Sequence, residues 1–503
     1  MNQRKLGVIL SYIALAINAL IGFAYVPILL NLMGESEYGL YQLIGSLTAY
    51  LAIMDFGMSS TIIRYYSHYR SLGDEKNAEN SLALSAIIYS VVTLIVLLAG
   101  TALYCNIDSL FKNSLSTEEM ISAKHIFLVQ LISITITIPS KIFDAVITSH
   151  ERFVFLKGAT IIQTILTPIA SILILTEYPY ALSFVIVQTV FNIILIAVKA
   201  VYCFSKIKVR IKLHYFDGSI FKEMLRFSSF IFLGAIMDQL FWNSNKVVLG
   251  IVASTAAVAV YGIAMTVFNA YMSVSTVITS VFLPRVTAIT TQDNYQKELS
   301  DLFIRIGRLQ FILLSCILSG FILFGRQFVD IWAGEDFSEV YIIILCLIAP
   351  YTIDLIQNIG ITILQAENKL AFRSVTFLIA SFFSITVSFF MVRRFGAIGC
   401  AASTGVVCFL MNFLLNIYYA KRIQLDIGEF WRQIARMTIP CVIAMLIGII
   451  INWVVLGDGK LNLIMKIGVY CIIFAILMWK CAMNEYEKDL VCTVLGRLMK
   501  KNK

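Results

Sequence analysis

Runs of about 20 mostly apolar residues recur from one end of this 503-residue chain to the other. As a helix, each run is long enough to cross the hydrocarbon core of a bilayer, where the backbone must satisfy its own hydrogen bonds. Fourteen can be counted: 6–32, 40–63, 81–105, 125–148, 159–176, 181–204, 227–250, 258–281, 309–329, 341–364, 374–392, 398–419, 437–456 and 464–482. Hydrophobic residues make up 59% of the chain and charged residues 14%, which excludes an ordinary soluble protein. The first run is too long for a signal-peptide core and reads as a helix. The fold class is therefore an all-α polytopic membrane protein.

Loop charge orients these spans. With the N-terminus on one side, 29 of the 39 Lys and Arg residues fall on that side, including Lys206, Lys208, Arg210 and Lys212. The positive-inside rule makes that side cytoplasmic, with both termini inside. The net charge of +9 is thus a topology signal and calls for no nucleic-acid partner. The longest external loop, 106–124, is too short for a catalytic or receptor domain. The ten cysteines and four histidines show no metal-ligand or catalytic spacing, so no metal, cofactor or enzymatic activity is expected.

Seven charges lie inside the spans more than three residues from either end: Asp55, Lys141, Asp144, Lys199, Asp238, Lys246 and Asp354. Each costs about 2.5–3.5 kcal/mol at a helix centre on insertion scales, so such residues mark function or pairing. Helical spacing groups polar residues into stripes: Ser11, Asn18 and Tyr25; Tyr41, Thr48, Asp55 and Ser59; Ser133, Thr137, Lys141, Asp144 and Thr148. Gln239, Asn243 and Lys246 share another stripe, as do Tyr261, Met265, Asn269, Ser273 and Thr276. Lys141 and Asp144, spaced i,i+3, can neutralise each other. Lys199, near a helix end, can snorkel to the headgroups. Asp354, just after Pro350, can bond backbone freed by a kink. Asp55, Asp238 and Lys246 have no opposite charge within a turn of their own helix, and they stand as the strongest candidates for a polar translocation path.

Two halves of the chain look related. Gly39-Leu-Tyr41 parallels Ala259-Val-Tyr261, and Ser149-His-Glu151 parallels Gln365-Ala-Glu367, each of the latter pair after a proline-containing span. The expected domains are a six-helix half over 1–204, a basic cytoplasmic linker over 205–226, a second six-helix half over 227–419, and two extra helices with a basic tail over 420–503. In the linker, basic and aliphatic residues alternate from Ser205 to Tyr215. That pattern reads as an extended topology anchor whose cations favour anionic lipid by about 1 kcal/mol each.

The run Pro27-Ile-Leu-Leu-Asn-Leu-Met-Gly34-Glu-Ser-Glu-Tyr38-Gly39-Leu-Tyr41, followed by Met54-Asp55-Phe-Gly57-Met-Ser-Ser-Thr-Ile-Ile-Arg64, resembles the opening of bacterial polysaccharide transporters. These are the oligosaccharide repeat-unit (O-antigen) flippases of the multidrug/oligosaccharidyl-lipid/polysaccharide exporter superfamily. The start of the second half, Phe227–Gly250 and then Val260-Tyr261-Gly262, is similar to the same family. The resemblance implies two pseudo-symmetric six-helix lobes plus two extra helices, around a central cavity that opens alternately to each side of the bacterial cytoplasmic membrane. The implied cargo is an undecaprenyl-pyrophosphate-linked oligosaccharide. Lys246, Lys141 and Arg64 would meet the diphosphate, and Asn18, Tyr25, Asn243 and Asn269 would suit sugar hydroxyls. A coupling ion, H⁺ or Na⁺, would act through an aspartate among Asp55, Asp144, Asp238 and Asp354. A polysaccharide polymerase and glycosyltransferases are the implied protein partners. Two departures stand out. Asn245 occupies a position where the family often carries an acid, and the first helix lacks the arginines typical of lipid II flippases. A cation-coupled multidrug antiporter and a lipid II flippase are the alternative readings.

Overall fold

The computed structural model describes residues 3–500 apart from Phe56, Val281, residues 291–294, Asn368, Leu456 and Asp458. Phe56 of the opening motif, Lys501 and Lys503 of the tail, and the side chains of Arg4, Lys5, Arg497 and Lys500 lie outside the described residues. The helices gather into two compact units, Met1–Gly262 with Ile385–Ala397, and Ile263–Ser384 with Ile398–Lys503.

The first unit is built from α1 (Gln3–Ala52), α2 (Met58–Ser71), α3 (Glu75–Phe111), α4 (Thr117–Ser149), α5 (Phe153–Leu175), α6 (Ala181–Tyr202), α7 (Gly218–Val252) and the start of α8 (Thr255–Ser280). The second holds the rest of α8, then α9 (Leu283–Ile289), α10 (Gln296–Trp332), α11 (Glu339–Ile356) and α12 (Ile359–Ala366). It continues with most of α13 (Leu370–Tyr418), α14 (Ile427–Val454), α15 (Lys460–Leu477) and α16 (Glu485–Lys500). Eleven helical stretches are long and apolar enough to cross a membrane. Two of them are double crossings. α1 turns at Gly34 (φ 78°) and α13 at Gly396 (φ 54°), left-handed positions that favour glycine. Counted as pairs and joined by α7, they bring the crossings to the fourteen expected.

Burial follows from this layout. Leu40, Leu43 and Ile44 are fully enclosed, whereas α6 turns Val190, Ile194, Val198 and Val201 outward, as a lipid-facing helix must. Several helix starts are satisfied by carboxylates. Ser116 and Glu119 cap α4 reciprocally, and Glu119 Oε1 also accepts from Ser36 (2.5 Å) and Thr255 (2.8 Å). Glu37 accepts from the backbone N–H of Ala181 at the start of α6 (2.6 Å).

Positions that the sequence repeat equates lie against each other in the first unit. A Cβ on Gly39 would sit 2.0 Å from the Thr255 carbonyl oxygen and 3.3 Å from Ala259 Cβ, so only glycine permits this approach. After α6, a π-helical turn (Cys203–Ile207) leads into a non-helical strap over 208–217. Asn80 Oδ1 accepts from the backbone N–H groups of His214 (3.1 Å) and Tyr215 (3.3 Å), and His214 Nε2 lies 2.8 Å from Glu79. The linker is therefore clasped onto the first turns of α3.

In the second unit, Arg308 of α10 grips Glu487 of α16 through Nε (2.6 Å) and Nη2 (2.9 Å), with both side chains almost fully buried. Asn484 and Glu487 exchange backbone-to-side-chain bonds, which fixes the start of α16. At the break between α11 and α12 the Leu355 carbonyl accepts both the Asn358 N–H (3.3 Å) and the Ser275 hydroxyl (2.9 Å). Asp354, in the turn after Pro350, is buried with the Arg373 charge nearby.

Beyond the end of α4, His150 Nε2 lies 3.1 Å from Tyr66 Oη. Burial, helped by Arg70 and Arg152, pushes the imidazole down to about 4. A depressed histidine contributes stability that is full above its ordinary range near 6.5 and is lost as pH falls from there toward 4. In the purified protein His150 should titrate near 4 by NMR. Arg70→Gln should move that midpoint upward, and a wild-type midpoint near 6.5 would contradict the packing.

Candidate functional site

Asp55 sits where a helix comes apart. α1 ends at Ala52, a 3₁₀ turn spans Ile53–Asp55, and Gly57 adopts a left-handed conformation (φ 62°) before α2 begins. The Met54-Asp55-Phe-Gly57 sequence thus encodes an interruption, and helix interruptions at membrane depth are tolerated where protein or a cavity surrounds them. Across from it, the Lys141 ammonium on α4 pairs with Asp55 Oδ2, and Tyr89 of α3 donates to Oδ1 at 3.5 Å. One turn along α4, Asp144 pairs with Lys199 of α6 at 2.7 Å. The four charges form two crossed interhelical pairs with no net charge.

Two expectations are corrected here. Lys141 and Asp144 do not neutralise each other; each reaches a different helix. Lys199 does not snorkel, because its side chain is only 12% exposed and held by Asp144. A buried ammonium gains more from a carboxylate at contact distance than from a longer reach to headgroups.

Lys246 of α7 has a different environment. Its ammonium donates to Gln42 Oε1 (2.9 Å), whose amide nitrogen donates in turn to Tyr38 Oη (2.9 Å). Among the described residues no carboxylate lies within ion-pair distance of it. Neighbouring Asn245 is turned into packing, donating to Tyr261 Oη (3.1 Å) and accepting from Ser388 Oγ (3.2 Å). The site lies where α1 meets α7 and α8 through glycines, for a Cβ on Gly250 would strike Leu43 and one on Gly262 would crowd Gln42. A half-buried cation with only a neutral partner is a ready counter-charge for an anion.

The family model for polysaccharide biosynthesis proteins matches residues 5–290, more than half of the chain. This chain belongs to that family. A Shigella flexneri protein named "Putative O-antigen transporter" is 20% identical over 415 residues, covering 81% of this chain and 95% of its own. The fold is similar to that of a lipid II flippase, MurJ, in an inward closed conformation, with a TM-score of 0.76 and 16% identity over 97% of this chain and 99% of that one. It is also similar to an inward-facing MATE family multidrug resistance transporter of the MOP superfamily, with a TM-score of 0.66 and 13% identity over 83% and 99% of the two chains. Flippase-type transport in a multi-pass membrane protein is what these findings support.

For a polysaccharide biosynthesis protein, the remaining candidates fall into distinct settings. Tyr25 packs against Phe184, with ring centroids 6.0 Å apart, and Phe184 meets Tyr41 edge-on at 4.8 Å. Asn243 bonds Gln239 one turn back. Asn18 is exposed and bonds its own helix at Ala14 O (2.9 Å). Arg64 and Asp238 are exposed in the first unit and Asn269 in the second. The sequence reading overlooked a set of neutral amides: Gln130, Gln163, Gln188 and Asn192 line one cleft with Thr48 and Thr167. Their signal was available as i,i+4 pairs on α5 (Gln163, Thr167) and α6 (Gln188, Asn192).

Proposed function

We propose that this protein is a flippase that moves an oligosaccharide repeat unit, linked to undecaprenyl pyrophosphate, across the bacterial cytoplasmic membrane by alternating access for surface polysaccharide biosynthesis. The observation that carries the reading is Lys246, an intramembrane cation whose one bond among the described residues is to a neutral amide. A diphosphate headgroup supplies the missing charge, and a charge-assisted hydrogen bond is worth about 1.5–3 kcal/mol. The crossed pairs at Asp55–Lys141 and Asp144–Lys199 leave neither of those carboxylates open to a cationic drug, which favours a glycan cargo over a multidrug antiporter. The name of the Shigella relative points the same way. In this reading the lipid tail stays in the bilayer, both termini are cytoplasmic, a coupling H⁺ or Na⁺ acts through a span aspartate, and glycosyltransferases and a polymerase work on either side of the transport step.

Deleting the gene tests it. The expected result is loss of one surface polysaccharide with build-up of its lipid-linked precursor on the cytoplasmic leaflet. A deletion strain that displays every surface glycan normally would sink the reading, and lost drug resistance with intact glycans would favour the antiporter.

A further inference from the structure

The first unit has an open cleft of about 440 Å³ between α1, α4, α5 and α6, within the roughly 300–1,000 Å³ usual for small-molecule sites. Eight of its ten lining residues are polar and none is charged. Some of that polarity is already used: Thr48 donates to Gln130 Oε1 (2.7 Å), and the Asn192 amide donates to Thr137 Oγ1 (2.7 Å) and Ser133 Oγ (3.3 Å). Much of it is not. The Thr167 hydroxyl is buried with no partner, and the Gln163 side chain makes no hydrogen bond among the described residues. At membrane depth an amide without a partner costs free energy, so groups left in this state are matched by something that enters.

We infer that this cleft is a binding site for an uncharged, hydroxyl-rich sugar of the transported lipid-linked glycan. Each planar amide carries a donor and an acceptor side by side, the pattern that adjacent sugar hydroxyls present in return. An ionised sugar is disfavoured, because its carboxylate would be desolvated with no cation in the wall; Lys141 and Lys199 are already paired. Aromatic surface adjoins the cleft, since the Tyr41 hydroxyl faces the Gln188 amide and its ring meets Phe184. The inference rests on the flippase reading and adds which sugars that site accepts.

The test uses the full-length protein in nanodiscs and three radiolabelled probes: bare polyprenyl diphosphate, the same lipid bearing a neutral hexose, and the same lipid bearing a hexuronate. The neutral-hexose lipid should bind at least tenfold tighter than the bare lipid, and the hexuronate lipid no tighter than the bare one. Gln163→Met and Asn192→Leu should each cut the hexose advantage to threefold or less while leaving the affinity for the bare lipid unchanged, which also shows the variants to be folded. Lys246→Gln should weaken all three probes alike. Equal binding of the three probes by the wild type, or an undiminished hexose advantage in both variants, overturns the sugar site and leaves the flippase reading standing. Failure of every probe to bind overturns both.

Discussion

Replacing Lys246 by methionine is expected to cut glycan export at least about tenfold and, at the same time, to raise the thermal stability of the purified protein. The two effects have one cause. Lys246 is half-buried with a single neutral partner, Gln42, among the described residues, so folding bears a desolvation cost that no described carboxylate offsets. Methionine has similar length and no charge, which removes that cost. Export should fall because the diphosphate loses a charge-assisted bond of about 1.5–3 kcal/mol, or about 10- to 150-fold at about 1.4 kcal/mol per decade. Lys246→Arg keeps the charge and should retain part of the activity, limited by its bulkier, planar head. Surface glycan display in a deletion strain reads the first effect and a melting curve in detergent the second. A methionine variant that melts lower than wild type would identify Lys246 as structural support and remove the main argument for an anionic cargo.

Spans were readable because length and apolarity act locally. Twenty apolar residues dictate a membrane helix whatever surrounds them. Pairings were not readable, because they depend on the rotation of one helix against another. Lys141 and Asp144 lie on one face by arithmetic, and sequence alone makes them partners. Only packing brings Asp55 of the α1–α2 break and Lys199 of α6 within reach and splits the pair in two. Asp55 added a second difficulty. Helical spacing was carried through a position where the helix unwinds at Gly57, so the stripe containing Ser59 has no meaning beyond that point. The amides were missed for a third reason. A neutral amide carries no formal charge, and Gln163 stands out only once its want of a hydrogen bond among the described residues is visible.

Breaking the Asp55–Lys141 pair from either side is expected to destabilise the protein, and breaking it from both sides at once to do so far less. Asp55→Asn strands Lys141, and Lys141→Met strands Asp55. Removing one partner of a buried pair costs about 3–5 kcal/mol, and Lys141, about one-third exposed, puts this pair at the lower end. The double variant leaves no orphan charge, so its loss should be well below the sum of the singles, a coupling that a double-mutant cycle on melting or denaturant curves would measure. Export separates glue from mechanism. Lys141 stands between two acids, Asp55 across the helix gap and Asp144 one turn away on α4, and Asp55 sits on a break flanked by a left-handed glycine. Such an arrangement has two pairings available to one lysine, the kind of bistable contact on which conformational cycles turn. The double variant should therefore fold and fail to export. Full export from it would reduce the pair to packing, and strictly additive stability losses would mean that Asp55 and Lys141 are not partners in the membrane.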